Sequence, residues 1–325
     1  MDQLRSQNVR TQGYRFAQST RKGLISHLRT WFFFALYFGL SIMPATEDSL
    51  CMFLEILSLT CGYAHCKAVL STVKYLHAAM GYTVHHTFSL DCTLQGLKRR
   101  LSRTPFQVLP IDPAVLRVMY SGINIKKKED LALWCSFLTA FYCLFRKANT
   151  VPQDGKFDPN CVLTRENIAI DPSTKMVYVY VGFSKTNQYR KNDRCIPIPS
   201  NDDQCLDLYR HLSLLFSTVD ADPCAPAFTY AKNKYVTYRS FTKRLKELLA
   251  RSGLEPSLYS GHSFRRGGAS YLFSIGGSQL MVQVLGDWSS MVYTRYLYMS
   301  ADDRMAAQVL IANGINSSAH LRPSS

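Results

Sequence analysis

The chain has 325 residues, which is too long for one small domain and fits two, and 47% of the residues are hydrophobic, enough to fill real cores. Lysine and arginine total 38 against 23 acidic residues, so the net charge is +15 and the isoelectric point is near 9.4. Such an excess favours a polyanionic partner, most often nucleic acid, although it also serves solubility.

Neither the cysteines nor the most apolar segment indicates a metal site or a membrane span. The 10 cysteines include no CxxC pair, and CGYAHC, 61–66, has no matching second half. Its apolar helical surroundings favour buried thiols in a reducing compartment. The run WFFFALYFGLSIMPA, 31–45, is shorter than the roughly 20 residues of a spanning helix and is ended by Pro44. We therefore expect a soluble, intracellular protein.

The first hundred residues predict a small helical domain. Residues 1–13 are polar and unpatterned, which is typical of a mobile arm. Four stretches then have apolar residues at helical spacing: 20–37, 47–57, 66–80 and 89–103. Thr46, followed by Glu47 and Asp48, predicts the start of the second helix, because acidic residues are favourable in a first turn. We assign 14–103 to a small all-α domain.

A second domain of mixed character follows a proline-rich linker. The linker is TPFQVLPIDP, 104–113, whose three prolines break the periodicity. The second domain is 114–313, with a nearly apolar central helix at 129–145, and 314–325 is a tail. Two β-rich runs around a polar turn predict a hairpin within 175–200. Further helices are expected at 201–216, 238–252, 262–275, 278–284 and 301–313. The predicted fold class is mainly α with a small β-sheet.

Several polar residues stand at the edges of these apolar elements. Arg146 ends the central helix in FYCLFRKANT, where it meets solvent or an anion, or caps the helix together with Lys147. Lys185 lies at the hairpin tip, where lysines are usually only solvated. His262 and Arg265 open a helix in GHSFRRGGAS, and their spacing puts them on one face at an end that favours anions. Each residue alone also has an ordinary structural explanation.

The segment LGDWSSMVYTRYLYM, 285–299, completes an ordered series. Trp288 offers one N–H donor, and three tyrosines follow it: Tyr293, Tyr296 and Tyr298. Arginine, hairpin lysine, HxxR, tryptophan and tyrosine, in this order, resemble the tyrosine recombinases, or phage-integrase family, over about residues 115–300. FRKANT, SKTNQ, HSFRRGGAS and GDWSS followed by RYL resemble the eukaryotic transposon branch of Crypton and DIRS type. The resemblance implies that 14–103 is a helical core-binding domain that binds DNA and that 114–313 is a mixed α+β catalytic domain.

The resemblance also implies a reaction. A tyrosine hydroxyl attacks a DNA phosphorus, forms a 3′-phosphotyrosine and releases a 5′-hydroxyl, which later reverses the step on another strand. Because the bond energy stays in the protein–DNA link, neither ATP nor a metal ion nor another cofactor is implied. The implied partners are double-stranded DNA and further copies of the chain in a synaptic tetramer, without a membrane or a small-molecule substrate. The expected location is the nucleus in a eukaryote and otherwise the cytoplasm, with the DNA.

The resemblance assigns a role to each member of the series. Arg146 and Arg265 match two arginines that stabilise the negatively charged transition state, because guanidinium forks suit phosphate oxygens. His262 matches the position that orients or takes the tyrosine proton. Lys185 matches the lysine that protonates the leaving 5′-oxygen. Trp288 holds a donor position that is histidine in many members.

Three tyrosines are candidates for the nucleophile, and Asn149 departs from the family pattern. The RYL context favours Tyr296, eight residues after Trp288, as the nucleophile; Tyr298, at ten residues, is the runner-up, and Tyr293 lies at five. Residues two apart on a helix point in different directions, so only one of them can be in line. Asn149 stands where many members have a carboxylate, and it can still form hydrogen bonds.

Further basic residues are candidates for DNA contact. A run near the linker is either a set of phosphate contacts or a solvated helix end: Lys98, Arg99, Arg100 and Arg103. Arg266 is expected to point away from the phosphate site and to make a backbone or surface contact. Two alternative functions stay open at this point. One is an enzyme like the type IB topoisomerases, and the other is a domesticated DNA-binding protein that no longer cuts.

Overall fold

The computed structural model divides the chain into two compact units, Met1–Phe106 and Gln107–Ser325, and each is described by itself. The structure describes the following residues: 7, 18–85, 87–101, 108–154, 157–182, 194–288, 294 and 297. Apart from residue 7, the predicted arm 1–13 lies outside them, as do the predicted helix 301–313 and the tail 314–325. None of the helices in the described ranges is both long and apolar enough to cross a lipid bilayer.

The first unit is built from the four helices that the sequence predicts. They are α1 (Gln18–Tyr37), α2 (Glu47–Ser58), α3 (Tyr63–Ala79) and α4 (Phe88–Leu101). Helix α2 begins as expected, because the Thr46 hydroxyl accepts the Ser49 N–H at 3.2 Å and so caps the first turn. The fully buried rings of Trp31 and Phe53 meet edge to face at 5.1 Å in the core between the helices.

The second unit is organised around one buried helix. Its helices are α5 (Pro113–Tyr120), α6 (Lys128–Tyr142), α7 (Lys147–Thr150), α8 (Leu208–Thr218), α9 (Tyr238–Arg251), α10 (His262–Ser274) and α11 (Gln279–Leu285). Helix α6 is the central buried helix that the sequence predicts. Phe137 in its middle packs on Phe241 of α9 at 4.6 Å and on Phe264 of α10 at 4.9 Å. These contacts bring the start of α10 to the C-terminal end of α6.

A small antiparallel sheet covers another side of the same core. It consists of β1 (Ile168–Asp171), β2 (Met176–Val181) and β3 (Arg194–Pro199), in that order. The pairing of β2 with β3 confirms the predicted hairpin. Val181, the last residue of β2, pairs with Arg194, the first residue of β3. Strand β1 was not expected, because four residues are too few to show a clear alternation. A short ribbon, β4 (Thr229–Ala231) with β5 (Lys234–Tyr235), completes the strands, so the fold class, mainly α with a small sheet, is confirmed.

Part of the segment assigned to the linker is packed into the second unit. The Leu109 N–H donates to the Leu258 carbonyl at 2.8 Å, and the Ile111 N–H donates to the Ser263 carbonyl at 3.0 Å. Ile111 itself is fully buried. The prolines therefore break helical periodicity, as predicted, but the extended chain that results binds along the start of α10 instead of running free.

Candidate active site

Arg146 follows a turn that ends helix α6. Leu144 has a left-handed φ of 50°, and the Leu144 and Phe145 N–H groups return to the carbonyls of Phe141 and Ala140 at 3.3 and 3.0 Å. This is a Schellman motif, in which glycine is the usual left-handed residue. Leucine is held there because its side chain packs in a buried cluster with Trp288. The turn leaves Arg146 half-buried at the edge of the core.

The two members of the HxxR motif lie at different depths. His262 is the first residue of α10 and its side chain is exposed, whereas Arg265 is only 3% exposed. The two are still neighbours, because the charge of Arg265 acts on the imidazole of His262. The predicted common face is thus a surface histidine with an arginine beneath it.

Arg265 joins the ends of two helices. Its guanidinium donates one hydrogen bond to the Gly286 carbonyl at 2.6 Å and another to the Leu144 carbonyl. Both carbonyls lie at helix C-termini, where acceptors lack intrahelical partners and the helix dipole favours a cation. The planar fork of arginine can reach both at once, whereas lysine would offer a single ammonium.

Trp288 is brought to Arg265 by a second Schellman turn. Asp287 has a φ of 53°, and the Asp287 and Trp288 N–H groups return to the carbonyls of Val284 and Gln283 at 3.1 and 3.0 Å. The Trp288 ring is 7% exposed, and the Arg265 guanidinium carbon lies 3.9 Å from its centroid. This stacking is a cation–π contact that fixes both side chains.

The two glycines of GHSFRRGGAS permit close backbone packing. A Cβ on Gly267 would lie 1.8 Å from the Ile111 carbonyl oxygen, and a Cβ on Gly268 would lie 2.4 Å from the Phe141 carbonyl oxygen. No side chain fits at either position without moving backbone. Gly268 therefore lets α10 approach the end of α6, which Arg265 reaches, and Gly267 lets the extended chain at Ile111 lie against α10.

Desolvation and the neighbouring positive charges together lower the pKa of His262. Although the side chain as a whole is exposed, the chain atoms packed around the imidazole remove part of its water, and this desolvation is the leading cause of the shift. The positive charges of Arg146, Arg265 and Lys147 follow in that order. The pKa is thus below its ordinary value of about 6.5, so the ring is mostly neutral at pH 7 and can accept a proton.

Sequence reasoning missed two basic residues at this site. Lys147, considered only as a helix cap, places its ammonium 3.7 Å from the centre of the Tyr238 ring and 3.4 Å from the Thr242 hydroxyl. Its position next to Arg146 was the available signal. Arg194, at the start of β3, donates to carbonyls at the end of α11, and nothing in its local sequence indicated this.

Several predicted residues cannot be placed, and one is placed differently. These residues lie outside the described ranges: Arg103, Lys185, Tyr293, Tyr296 and Tyr298. Lys98 and Arg99 are exposed at the end of α4, while Arg100 pairs with Glu55 at 2.7 Å. For Arg266 a backbone or surface contact was expected, and the surface contact is wrong because its side chain is only 7% exposed. DNA contact by these basic residues stays a prediction.

Comparisons with known proteins found similarity in structure only. No protein-family model and no curated protein sequence matches the chain. The Tn1549 transposon integrase in complex with circular intermediate DNA matches with a TM-score of 0.59 and 14% identity, over 94% of this chain and 98% of that one. A lambda integrase dimer bound to a COC′ core site matches with a TM-score of 0.58 and 14% identity, over 94% and 96%. The XerH site-specific recombinase bound to difH substrate matches with a TM-score of 0.51 and 12% identity, over 81% and 69%. The chain has the tyrosine recombinase fold.

Within this recombinase fold, one region collects the polar groups described above. The positive charges of Arg146, Lys147 and Arg265 act on the imidazole of His262, and Trp288 stacks on Arg265. Three cations beside one proton acceptor can bind a phosphodiester and remove a proton from a nucleophile. Among the described residues, the charged groups that act on His262 include no carboxylate, so their combined field is positive.

Proposed function

We propose that this protein is a site-specific DNA recombinase that cleaves and rejoins DNA through a 3′-phosphotyrosine intermediate. The observation that carries the proposal is the meeting of Arg146, His262, Arg265 and Trp288 at one place in a recombinase fold. The solved structures that share this fold include integrases and a recombinase bound to DNA. The net charge of +15 is of the sign that DNA requires.

In the proposed reaction, the Tyr296 hydroxyl attacks the phosphorus while the neutral imidazole of His262 takes its proton. A bond forms between phosphorus and the tyrosine oxygen, and the bond to the 5′-oxygen breaks as Lys185 donates a proton to it. Negative charge grows on the non-bridging oxygens, where preorganised donors have most effect. The Arg146 side chain suits this role, because it has no hydrogen-bond or ion-pair partner among the residues that the structure describes.

The proposal extends to the biological setting. The motifs FRKANT, SKTNQ and HSFRRGGAS support a transposon enzyme of the Crypton or DIRS branch, which integrates or excises its element. The Tn1549 enzyme with the same fold is itself a transposon integrase. Synapsis by a tetramer on two DNA sites, and action in the nucleus of a eukaryote, belong to the same proposal.

The proposal is tested with a nicked suicide substrate, which traps the covalent intermediate because the cleaved end diffuses away. The binding site is first selected from random duplexes with the full chain. We expect a denaturant-stable protein–DNA complex that forms in excess EDTA, with the adduct mapped to Tyr296. Tyr296→Phe should bind DNA as the wild type does and form no complex, whereas the matched variant Tyr298→Phe should still form it.

Other outcomes select the alternatives. If Tyr296→Phe still forms the adduct, the nucleophile is Tyr298 or Tyr293. If the wild type binds DNA and never forms an adduct, the protein is a non-cleaving DNA-binding protein. Relaxation of supercoiled DNA by a monomer without paired sites would indicate a topoisomerase-like enzyme, and a strict metal requirement would refute the mechanism.

A further inference from the structure

Arg194 links the β-hairpin to the turn that precedes Trp288. It is the first residue of β3 and pairs across the hairpin with Val181. One terminal nitrogen, Nη1, lies 3.2 Å from the Val284 carbonyl oxygen and 3.4 Å from that of Leu285. The other, Nη2, lies 4.0 Å from the Asp287 carboxylate. A residue 90 positions away in sequence thus binds the end of α11.

The contact supplies what α11 lacks. This helix has no basic residue in its last turn. The Val284 carbonyl already accepts the Asp287 N–H, and each carbonyl oxygen has a second lone pair for a further donor. An N–H shared between two successive carbonyls is common at such ends, and a cation there is favoured by the helix dipole. Arg194 and Asp287 are both about three-quarters shielded from solvent, with exposures of 24% and 27%, so the pair is less screened than a surface ion pair.

Two arginines therefore hold the same turn. Arg265 binds the Gly286 carbonyl at 2.6 Å, while Arg194 binds the residues on either side of Gly286. Trp288 directly follows Asp287, and its ring stacks on the Arg265 guanidinium. The orientation of Trp288 is thus determined by a turn with one anchor in α10 and one in β3.

We propose that Arg194 is a positioning residue that fixes Trp288 against Arg265 by tying the start of β3 to the turn 284–287. The inference rests on the proposed function, in which Trp288 donates to the phosphate. It adds that strand β3 and the turn that precedes Trp288 share one anchor. Loss of Arg194 then misplaces the indole without removing a group that touches DNA.

The first test measures cleavage by Arg194→Met in the full chain. A donor misplaced by about 1 Å costs on the order of 100-fold in rate, so we expect the suicide-substrate complex to form 10- to 100-fold more slowly, with DNA affinity within about twofold. Arg117→Met is the matched control, because it breaks a shorter ion pair, 2.7 Å to Asp203, on the same unit. Its rate should equal that of the wild type.

A double-mutant cycle shows whether Arg194 acts through Trp288. If it does, Arg194→Met should slow a Trp288→Phe enzyme by less than threefold, because the residue it positions is already gone. A full, multiplicative loss in that background would overturn the proposal. Arg194→Lys, which keeps a charge but loses the fork, should fall between the wild type and Arg194→Met.

A spectroscopic measurement separates this proposal from the proposed function. The chain has three tryptophans, Trp31, Trp134 and Trp288, so 5-fluorotryptophan gives three ¹⁹F signals, assigned for Trp288 by Trp288→Phe. Arg194→Met should shift or broaden the Trp288 signal and leave the other two unchanged, which also shows that both units are folded. An unchanged Trp288 signal refutes the positioning role, even if the enzyme cleaves; a wild type that never cleaves refutes only the function. Arg194→Lys replaces Arg194→Met in both tests if the latter does not fold.

Discussion

Substitution of Gly267 by alanine tests how closely α10 approaches the chain beside it. The new Cβ would lie 1.8 Å from the Ile111 carbonyl oxygen, 2.4 Å from its carbonyl carbon and 2.9 Å from its nitrogen. Ordinary contacts between carbon atoms are about 3.5–4.0 Å. Because every contact is with backbone, no side-chain rotation relieves it, and residues 109–111 must retreat from the helix.

The retreat has three costs and one gain. Overpacking of a core costs about 1–3 kcal/mol. Loss of the 3.0 Å hydrogen bond from the Ile111 N–H to the Ser263 carbonyl costs about 1 kcal/mol. Ile111, which is fully buried in the wild type, also becomes partly exposed to solvent. Alanine favours a helix interior over glycine by about 1 kcal/mol. We expect a net loss of about 2–3 kcal/mol, a large share of the 5–15 kcal/mol typical of a folded domain.

The assay is urea unfolding followed by the ¹⁹F signals of Trp134 in the second unit and Trp31 in the first. Gly267→Ala should lower the midpoint reported by Trp134 and leave that of Trp31 unchanged. Gly96→Ala is the matched control, since nothing lies within 4 Å of its new Cβ, and it should stabilise the first unit by about 0.5–1 kcal/mol. A Gly267→Ala protein within about 0.5 kcal/mol of the wild type would refute the close approach.

Two further predictions concern a pKa and a helix cap. Because the pKa of His262 is lowered in the folded state, its contribution to stability is present above the unfolded pKa of about 6.5 and is lost as the pH falls through the folded pKa. Arg146→Gln should raise the pKa of His262 in an NMR titration. An unchanged pKa would show that the charge of Arg146 does not act on this imidazole. Thr46→Ala removes the hydroxyl that accepts the Ser49 N–H and should destabilise the first unit by about 1 kcal/mol in urea unfolding, whereas Thr30→Ala, on an exposed hydroxyl of α1, should change stability by less than half as much.

Features set by neighbours in the sequence were predicted well. Thr46 caps α2 because the residues that follow it are helical and acidic at the start, and the β2–β3 hairpin forms where two β-rich runs flank a polar turn. Helix α6 could be recognised as buried because almost every residue after Asp130 is apolar. In each case the stabilising partners lie within a few residues or on a repeating face.

Features set by distant residues were not predictable. Arg265 binds carbonyls 121 and 21 residues away, so the HxxR spacing gives its neighbour on the helix but not its depth. Arg266 is buried although an arginine pair at a helix start is typical of a surface. Leu109 and Ile111 have prolines on both sides, and only their tertiary partners show that they belong to the second unit.

The position of Arg265 has a consequence for judging activity in related chains. Under the proposed function, a related chain that had stopped cutting DNA would still need this arginine, because without it the ends of α6 and α11 lose a shared hydrogen-bond donor. The presence of Arg265 in a relative therefore indicates that the fold is kept and does not indicate that the relative cleaves DNA. The Arg146 side chain makes no hydrogen bond of this kind to the residues that the structure describes, so its substitution costs the fold little once cleavage is lost. Its presence or absence is the better sign of whether a relative still works as an enzyme.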